Sequence, residues 1–311
     1  MIELTHGIQF SSLEEVDDHP HQWKTDFRAL RPGQNHFSMQ ETLTPSVAIR
    51  TGVFSGPVVQ RGEVPRGKRT YSFLLNEVEK HCFRSQLIDR SSLMVFGKNC
   101  EVDATSSSPA SICTVTVDTT YLEHRSADWG ADINIDSGGV TQLGEEVRLQ
   151  LEVTINELAR LQRMTGPLYP LEQLRLQENI VDILLDVLGT QTPEFINPKN
   201  GYRMVQKALN FMEGNIKRPI KLSEVTSELG ISTRTLQLEF KKYLNASPKQ
   251  AINQLRLASL RKSIRTGFHA HSSVSEFAFD HGYWHLSQLA QDYFQAFGEL
   301  PSQTLLESKK I

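Results

Sequence analysis

The stretch KLSEVTSELGISTRTLQLEFKKYLNASP, residues 221–248, decides how the rest of the chain is read. Leu222, Val225 and Leu229 recur at helical spacing, Gly230 and Ile231 break the pattern, and Leu236, Phe240 and Leu244 resume it behind Ser232. Glycine permits the positive φ of a tight turn between helices, and Ser232 can cap the amides opening the second helix. The spacing predicts a helix-turn-helix. With its apolar residues turned inward, the second helix presents Thr233, Arg234, Gln237, Leu238, Lys241 and Lys242. Arginine and glutamine on such a face can hydrogen-bond guanine and adenine edges in a major groove. The same geometry also serves as a plain packing unit, so one motif leaves the two readings level.

The residues that follow separate them. Ser247 and Pro248 read as a cap and a first helical position, opening a long helix to about Thr266 that carries Lys249, Arg256, Arg261, Lys262 and Arg265. Gly267 ends it. Ser273 and Glu276 form a capping-box pattern, Gly282 and Tyr283 break the next helix, and a further one from about His285 to Phe297 stops at Gly298. This is a second helix-turn-helix, joined to the first by a linker helix.

Leu222-x-x-Val225, Gly230-Ile-Ser-x-Arg-Thr-Leu-Gln-x-x-Phe-Lys241, Ser247-Pro248, Arg256-Leu257, Gly282-Tyr-Trp-His285 and Phe297-Gly-Glu-Leu-Pro-Ser302 occur in this order. Over roughly its last third the chain thereby resembles the AraC/XylS transcription regulators. The resemblance implies a non-enzymatic regulator, an activator, binding promoter double-stranded DNA across two successive major-groove segments and meeting RNA polymerase. A repressor, or a regulator controlled by a partner protein, are the alternatives. The expected DNA-binding residues are Ser232, Thr233, Arg234, Gln237, Leu238, Lys241 and Lys242 in the first unit, Arg256 in the linker helix, and Trp284, His285, Gln288 and Gln291 in the second. No catalytic residue, metal or cofactor is expected. The second unit departs from the family, whose members carry basic residues where this chain has Ala290, Gln291, Asp292 and Phe294. Neutral groups and helix amides are then left to meet DNA there, and a structural or polymerase-facing role competes.

Charge divides the chain in the same way. From Lys199 onward there are 16 Lys and Arg against 9 Asp and Glu, a net of +7; the preceding residues carry 17 against 27, a net of −10. A basic module on an acidic one fits a DNA-binding domain attached to a sensor. Between Ser232 and Arg265 eight cations face a single acid, Glu239, whereas 267–308 contains no Lys or Arg. Since phosphate contacts supply most non-specific affinity, the first unit should anchor the protein.

Hydrophobic and charged fractions of 39% and 22% are those of an ordinary soluble chain. No apolar run reaches the ~20 residues of a membrane span, and no basic-then-apolar leader opens the sequence. Cys82, Cys100 and Cys113 lack metal-ligand spacing and fit a reducing cytoplasm. From Ser46 the pattern takes period two: Val47, Ile49, Thr51 and Val53, then runs at Val58-Val59, Tyr71 to Leu75, Phe83 to Ile88, Leu93 to Phe96 and Ile112 to Val117, with turn signals between them. This predicts an antiparallel sandwich or barrel, and the family resemblance implies a cupin-like one.

His6, His19, His21, His36, His81 and His124 are too scattered for a metal-dependent cupin. A small-molecule effector in the barrel is expected instead, with Tyr71, Phe73, Arg84 and Phe96 as candidate contacts and plain core or surface roles as the competing reading. Helical patterns at 142–164 and 170–189 provide a homodimer contact or simply cover the barrel. The fold class expected is α+β in two domains: a sensor and dimerisation domain at 1–190 (β-rich to about 120, helical at 142–189), a linker at 191–199, and an all-α DNA-binding domain at 200–311.

Overall fold

The computed structural model describes residues 8–10, 24–30, 33, 36–78, 80–84, 86–98, 100–129, 133–164, 169–194, 200–267 and 273–309. Among them β1 (Ile8–Phe10), β3 (Phe37–Leu43), β4 (Val47–Phe54), β6 (Lys68–Leu74), β9 (Ser92–Phe96), β11 (Ala110–Asp118) and β12 (Gly139–Gln142) form a sheet in the order β1-β3-β4-β11-β6-β9-β12. A second sheet has the order β2-β5-β10-β7-β8, from β2 (Lys24–Ala29), β5 (Val58–Glu63), β7 (His81–Phe83), β8 (Gln86–Ile88) and β10 (Glu101–Ser106). Every pairing is antiparallel.

The larger sheet is covered on both faces, which explains why so many of its residues are apolar. Its outer face places Val47, Ile49, Tyr71, Phe73, Leu93, Val95, Val115 and Val117 in one core with α1 (Thr119–Asp128), α2 (Glu145–Gln162) and α3 (Tyr169–Thr190). The alternate residues, among them Arg50, Gly52, Ser72, Met94 and Thr114, face the smaller sheet across a cavity. The helices at 142–164 and 170–189 thus bury one side on the barrel. Leu149, Val153, Leu171 and Leu174 stay exposed on the other.

Two strand expectations change in detail. The run from Phe83 to Ile88 splits into β7 and β8 around Arg84, whose φ is 47°. β10 is a strand outside the expected runs: its Val102 and Ala104 face the cavity, and Asp103 and Thr105 between them face the C-terminal helices rather than water. The first part of the expected linker pairs with β12: Glu194 and Val140 exchange two backbone hydrogen bonds of 3.0 and 3.1 Å. Gly139 permits this approach, since a Cβ there would lie 2.3 Å from the Glu194 backbone. Linker residues 195–199 and the histidines His6, His19 and His21 lie outside the described residues.

The C-terminal helices are α4 (Asn200–Gly214), α5 (Leu222–Leu229), α6 (Thr233–Leu244), α7 (Pro248–Thr266), α8 (Val274–Asp280), α9 (Leu286–Phe297) and α10 (Pro301–Ser308). The linker helix α7 serves two cores. Ala251, Ile252 and Leu255 join Val205, Leu209, Leu236 and Phe240, while Leu257, Leu260 and Ile264 join Phe277, Leu289, Tyr293 and Leu305. Leu30, which follows β2, and Val59 and Cys82 of the smaller sheet enter the first of these cores. Polar contacts fasten the same junction: the Tyr202 hydroxyl donates to Asp103 at 2.6 Å, Gln206 donates to Asp103 at 3.0 Å, and Arg61 donates to Asn210 at 2.7 Å. Among the described residues no helix is long and apolar enough to cross a membrane.

Candidate nucleic-acid interface and barrel cavity

The first turn is built from local chemistry. Gly230 closes α5 at φ 62°, Ile231 donates back to Thr226 at 3.1 Å, and the Ser232 hydroxyl accepts from the Thr235 amide at 3.0 Å. Ser232, expected at the DNA, is therefore engaged as a cap. Leu236, Phe240, Tyr243 and Leu244 fix the inner face of α6, leaving Thr233, Arg234, Gln237, Leu238, Lys241 and Lys242 exposed on the outer one. Leu238 is 60% exposed with no packing role to explain it. Lys241 bonds Asn245, at 2.5 Å, and Lys242 lies 3.9 Å from Glu239. Such solvated pairs contribute little and yield readily to a phosphate.

The linker helix corrects an expectation. Arg256, placed with the phosphate-binding residues, donates through one nitrogen to the carbonyls of His281 (2.8 Å) and Gly282 (3.0 Å) and stacks over the Tyr283 ring at 4.3 Å. Arg261 is likewise internal, 2.9 Å from Glu299 and 4.6 Å above the Phe297 ring. Both guanidiniums fasten the second unit to α7. Lys249 and Lys262 remain exposed.

The second unit repeats the backbone plan with a different surface. His281 is buried, its ring held by the Phe277 carbonyl and Ser263, and burial pushes the imidazole below its usual range. His285 stands at the cap position of α9 with its side chain exposed. Trp284, 69% exposed, stacks on Phe279 with centroids 5.5 Å apart, and Phe294 is 54% exposed. Gln288 spends an amide N–H on Asp292 at 2.8 Å, and Gln291 is exposed beside it. The outer face of α9 is thus aromatic and faintly acidic.

Between the two sheets of the barrel lies a half-open cavity of about 90 Å³. Of the four candidate contacts, Phe96 lines it. Tyr71 and Phe73 do not: they flank the cavity-facing Ser72 on β6, so the pleat turns both toward the helices. Arg84 sits outside near Cys100, at 3.8 Å. The residues missed are Arg50 and His81. Arg50 pairs with Glu41 at 2.5 Å through one nitrogen, and its other two nitrogens are buried without a partner among the described residues. His81 is 2% exposed, neither ring nitrogen is bonded, and burial pushes its pKa down to about 4. The pleat gives a signal for Arg50, which alternates with the apolar Ile49; three-residue β7 gives none for His81.

A family model described as a helix-turn-helix domain matches residues 225–306. The chain is 35% identical over 140 residues to a XylDLEGF operon transcriptional activator of Pseudomonas putida, across 44% of this chain and 43% of that protein. It is 29% identical over 102 residues to a probable thc operon regulatory protein of Rhodococcus erythropolis, across 33% of this chain and 31% of that one. The chain thus spans less than half the length of these curated relatives. Similar solved structures include a probable AraC family transcriptional regulator from Rhodopseudomonas palustris CGA009, with 30% identity, TM-score 0.32, and coverage of 34% of this chain and 97% of that one. Another is unsaturated fatty acid bound ToxT from Vibrio cholerae, with 14% identity, TM-score 0.32, and coverage of 88% and 99%.

Proposed function

We propose, from the premise that this chain belongs through its C-terminal domain to the AraC/XylS helix-turn-helix family, that it binds promoter DNA sequence-specifically and activates a small set of promoters. The observation that carries the reading is the outer face of α6: Thr233, Arg234, Gln237 and Leu238 exposed together, with Lys241 and Lys242 beside them, on a helix whose other face is locked in a core. In the major groove the first four meet base edges, and the lysines, with Lys249 and Lys262, meet phosphates. Four such contacts give a salt slope of about −3 to −4 per protomer. The second unit adds little charge, and its Phe279, Trp284 and Phe294 face suits a protein surface, which we assign to RNA polymerase.

The division is a sensor and dimerisation domain at 1–190, a linker at 191–199 and a DNA-binding domain at 200–311, working in the cytoplasm. Exposed Leu149, Val153, Leu171 and Leu174 support a homodimer through α2 and α3. The barrel cavity supports a small molecule rather than a partner protein as the modulator. Selection from a random DNA pool by the full chain tests the reading. Enrichment of a defined sequence is expected; retention of the pool without any preference would remove sequence-specific regulation.

A further inference from the structure

Exposed apolar side chains elsewhere on the helices keep apolar company: Leu149, Val153, Leu171 and Leu174 share α2 and α3, and Trp284 lies stacked on Phe279. Leu238 does not. It stands 60% exposed on α6, and its neighbours one turn before and after on the helix surface are Arg234, Lys241 and Lys242, all exposed. Gln237, also exposed, adjoins it. Leu236, Phe240, Tyr243 and Leu244 already fill the inner face of α6, so nothing in the fold calls for a leucine at this position.

That company restricts what Leu238 can meet. An apolar protein groove closing over it would take the adjoining cations out of water, and an unpaired charge buried in this way is costly. A polyanion receives the cations, and Leu238 then needs an apolar atom among polar ones. The major groove of DNA supplies it: its base edges present hydrogen-bond donors and acceptors and one apolar group, the C5 methyl of thymine. Spacing gives the place. Four residues of helix advance about 6 Å, and successive base pairs rise about 3.4 Å. Leu238 therefore stands one or two base pairs beyond the one that Arg234 reads.

We propose that Leu238 is a specificity determinant that selects a thymine through its 5-methyl group, one or two base pairs from the pair recognised by Arg234. The inference rests on the sequence-specific reading of α6 and names one base within its site. Burial of a single methyl against the leucine sets the scale of the effect at about fourfold in affinity.

The test uses duplexes of the sequence that the full chain selects from a random pool. Each thymine, one at a time and on either strand, is replaced by deoxyuridine, which lacks the methyl and keeps the base pair. Titration of the full chain should find one replacement that weakens binding roughly fourfold, one or two base pairs from the position that Arg234→Ala relaxes. Leu238→Ala should weaken binding to the thymine duplex at least as much, bind the thymine and deoxyuridine forms alike, and keep its denaturant midpoint, as an exposed position allows. A selected block without thymine at that spacing, or one in which no deoxyuridine weakens binding, overturns the proposal and needs no variant to be seen. A methyl effect that persists in Leu238→Ala also overturns it and moves the contact to another side chain, such as Thr233. A pool that returns no preferred sequence removes the regulator reading and this inference with it. A defined block indifferent to the methyl leaves that reading standing and removes only the thymine contact.

Discussion

The two helix-turn-helix units share a backbone plan and differ in what they offer outward. In the first, the cations of α6 are exposed and its single acid, Glu239, is turned inward toward Gly201 of α4. In the second, the nearest guanidiniums, Arg256 and Arg261, point inward from α7 to hold the unit in place, and the outer face shows Trp284, Phe279 and Phe294. A fold motif therefore fixes where a surface stands without fixing what the surface binds. The same residue type stands exposed on the outer face in one place and is engaged with the protein's own interior in the other.

Replacing Arg261 by Ala breaks this contrast most severely. It leaves Glu299, in a mostly buried setting, with the Thr304 hydroxyl in place of its counter-charge, a loss of about 3 kcal/mol seen as a lower denaturant midpoint. Unchanged stability with weaker DNA binding would mean that Arg261 faces phosphates instead. Arg234→Ala should cost about 1–3 kcal/mol of DNA affinity and relax preference at one base pair. A loss uniform across sequences would assign Arg234 to the backbone.

Lys241→Ala tests the electrostatic half of the contrast. Its expected effect is a uniform weakening, with the salt slope shallower by about 1. Gln291→Arg is the smallest change: binding at low salt should stay within about 0.5 kcal/mol, the usual span for a surface substitution away from any contact. A clear gain, with a steeper salt slope, would place α9 against phosphates.

How much of this was legible in the chain follows from how local each cause is. Caps and turn glycines act over a few residues, so Ser232, Gly230, Ser247 and Gly298 mark the C-terminal helices almost to their ends. The exposed face of α6 followed at once. The barrel was harder because both faces of its larger sheet are buried. There the apolar alternation of Val47, Ile49, Tyr71 and Phe73 marks the side under the helices, and the polar Arg50, Ser72 and Thr114 mark the cavity. Choosing hydrophobic residues as candidate contacts selected the side of β6 that packs under the helices, away from the cavity. Arg256 and Arg261 misled for a related reason: on a helix packed against two cores, long cationic stems turn inward wherever carbonyls, a carboxylate or a ring receive them.

The claim that the first unit alone reads sequence is tested most directly by repeating the DNA selection with Arg234→Ala and with Gln291→Ala beside the unaltered chain. The account predicts that Arg234→Ala changes the selected block at one position, while Gln291→Ala selects the original sequence unchanged. A second block, about 10 base pairs from the first and altered only by Gln291→Ala, would show α9 reading bases and contradict it.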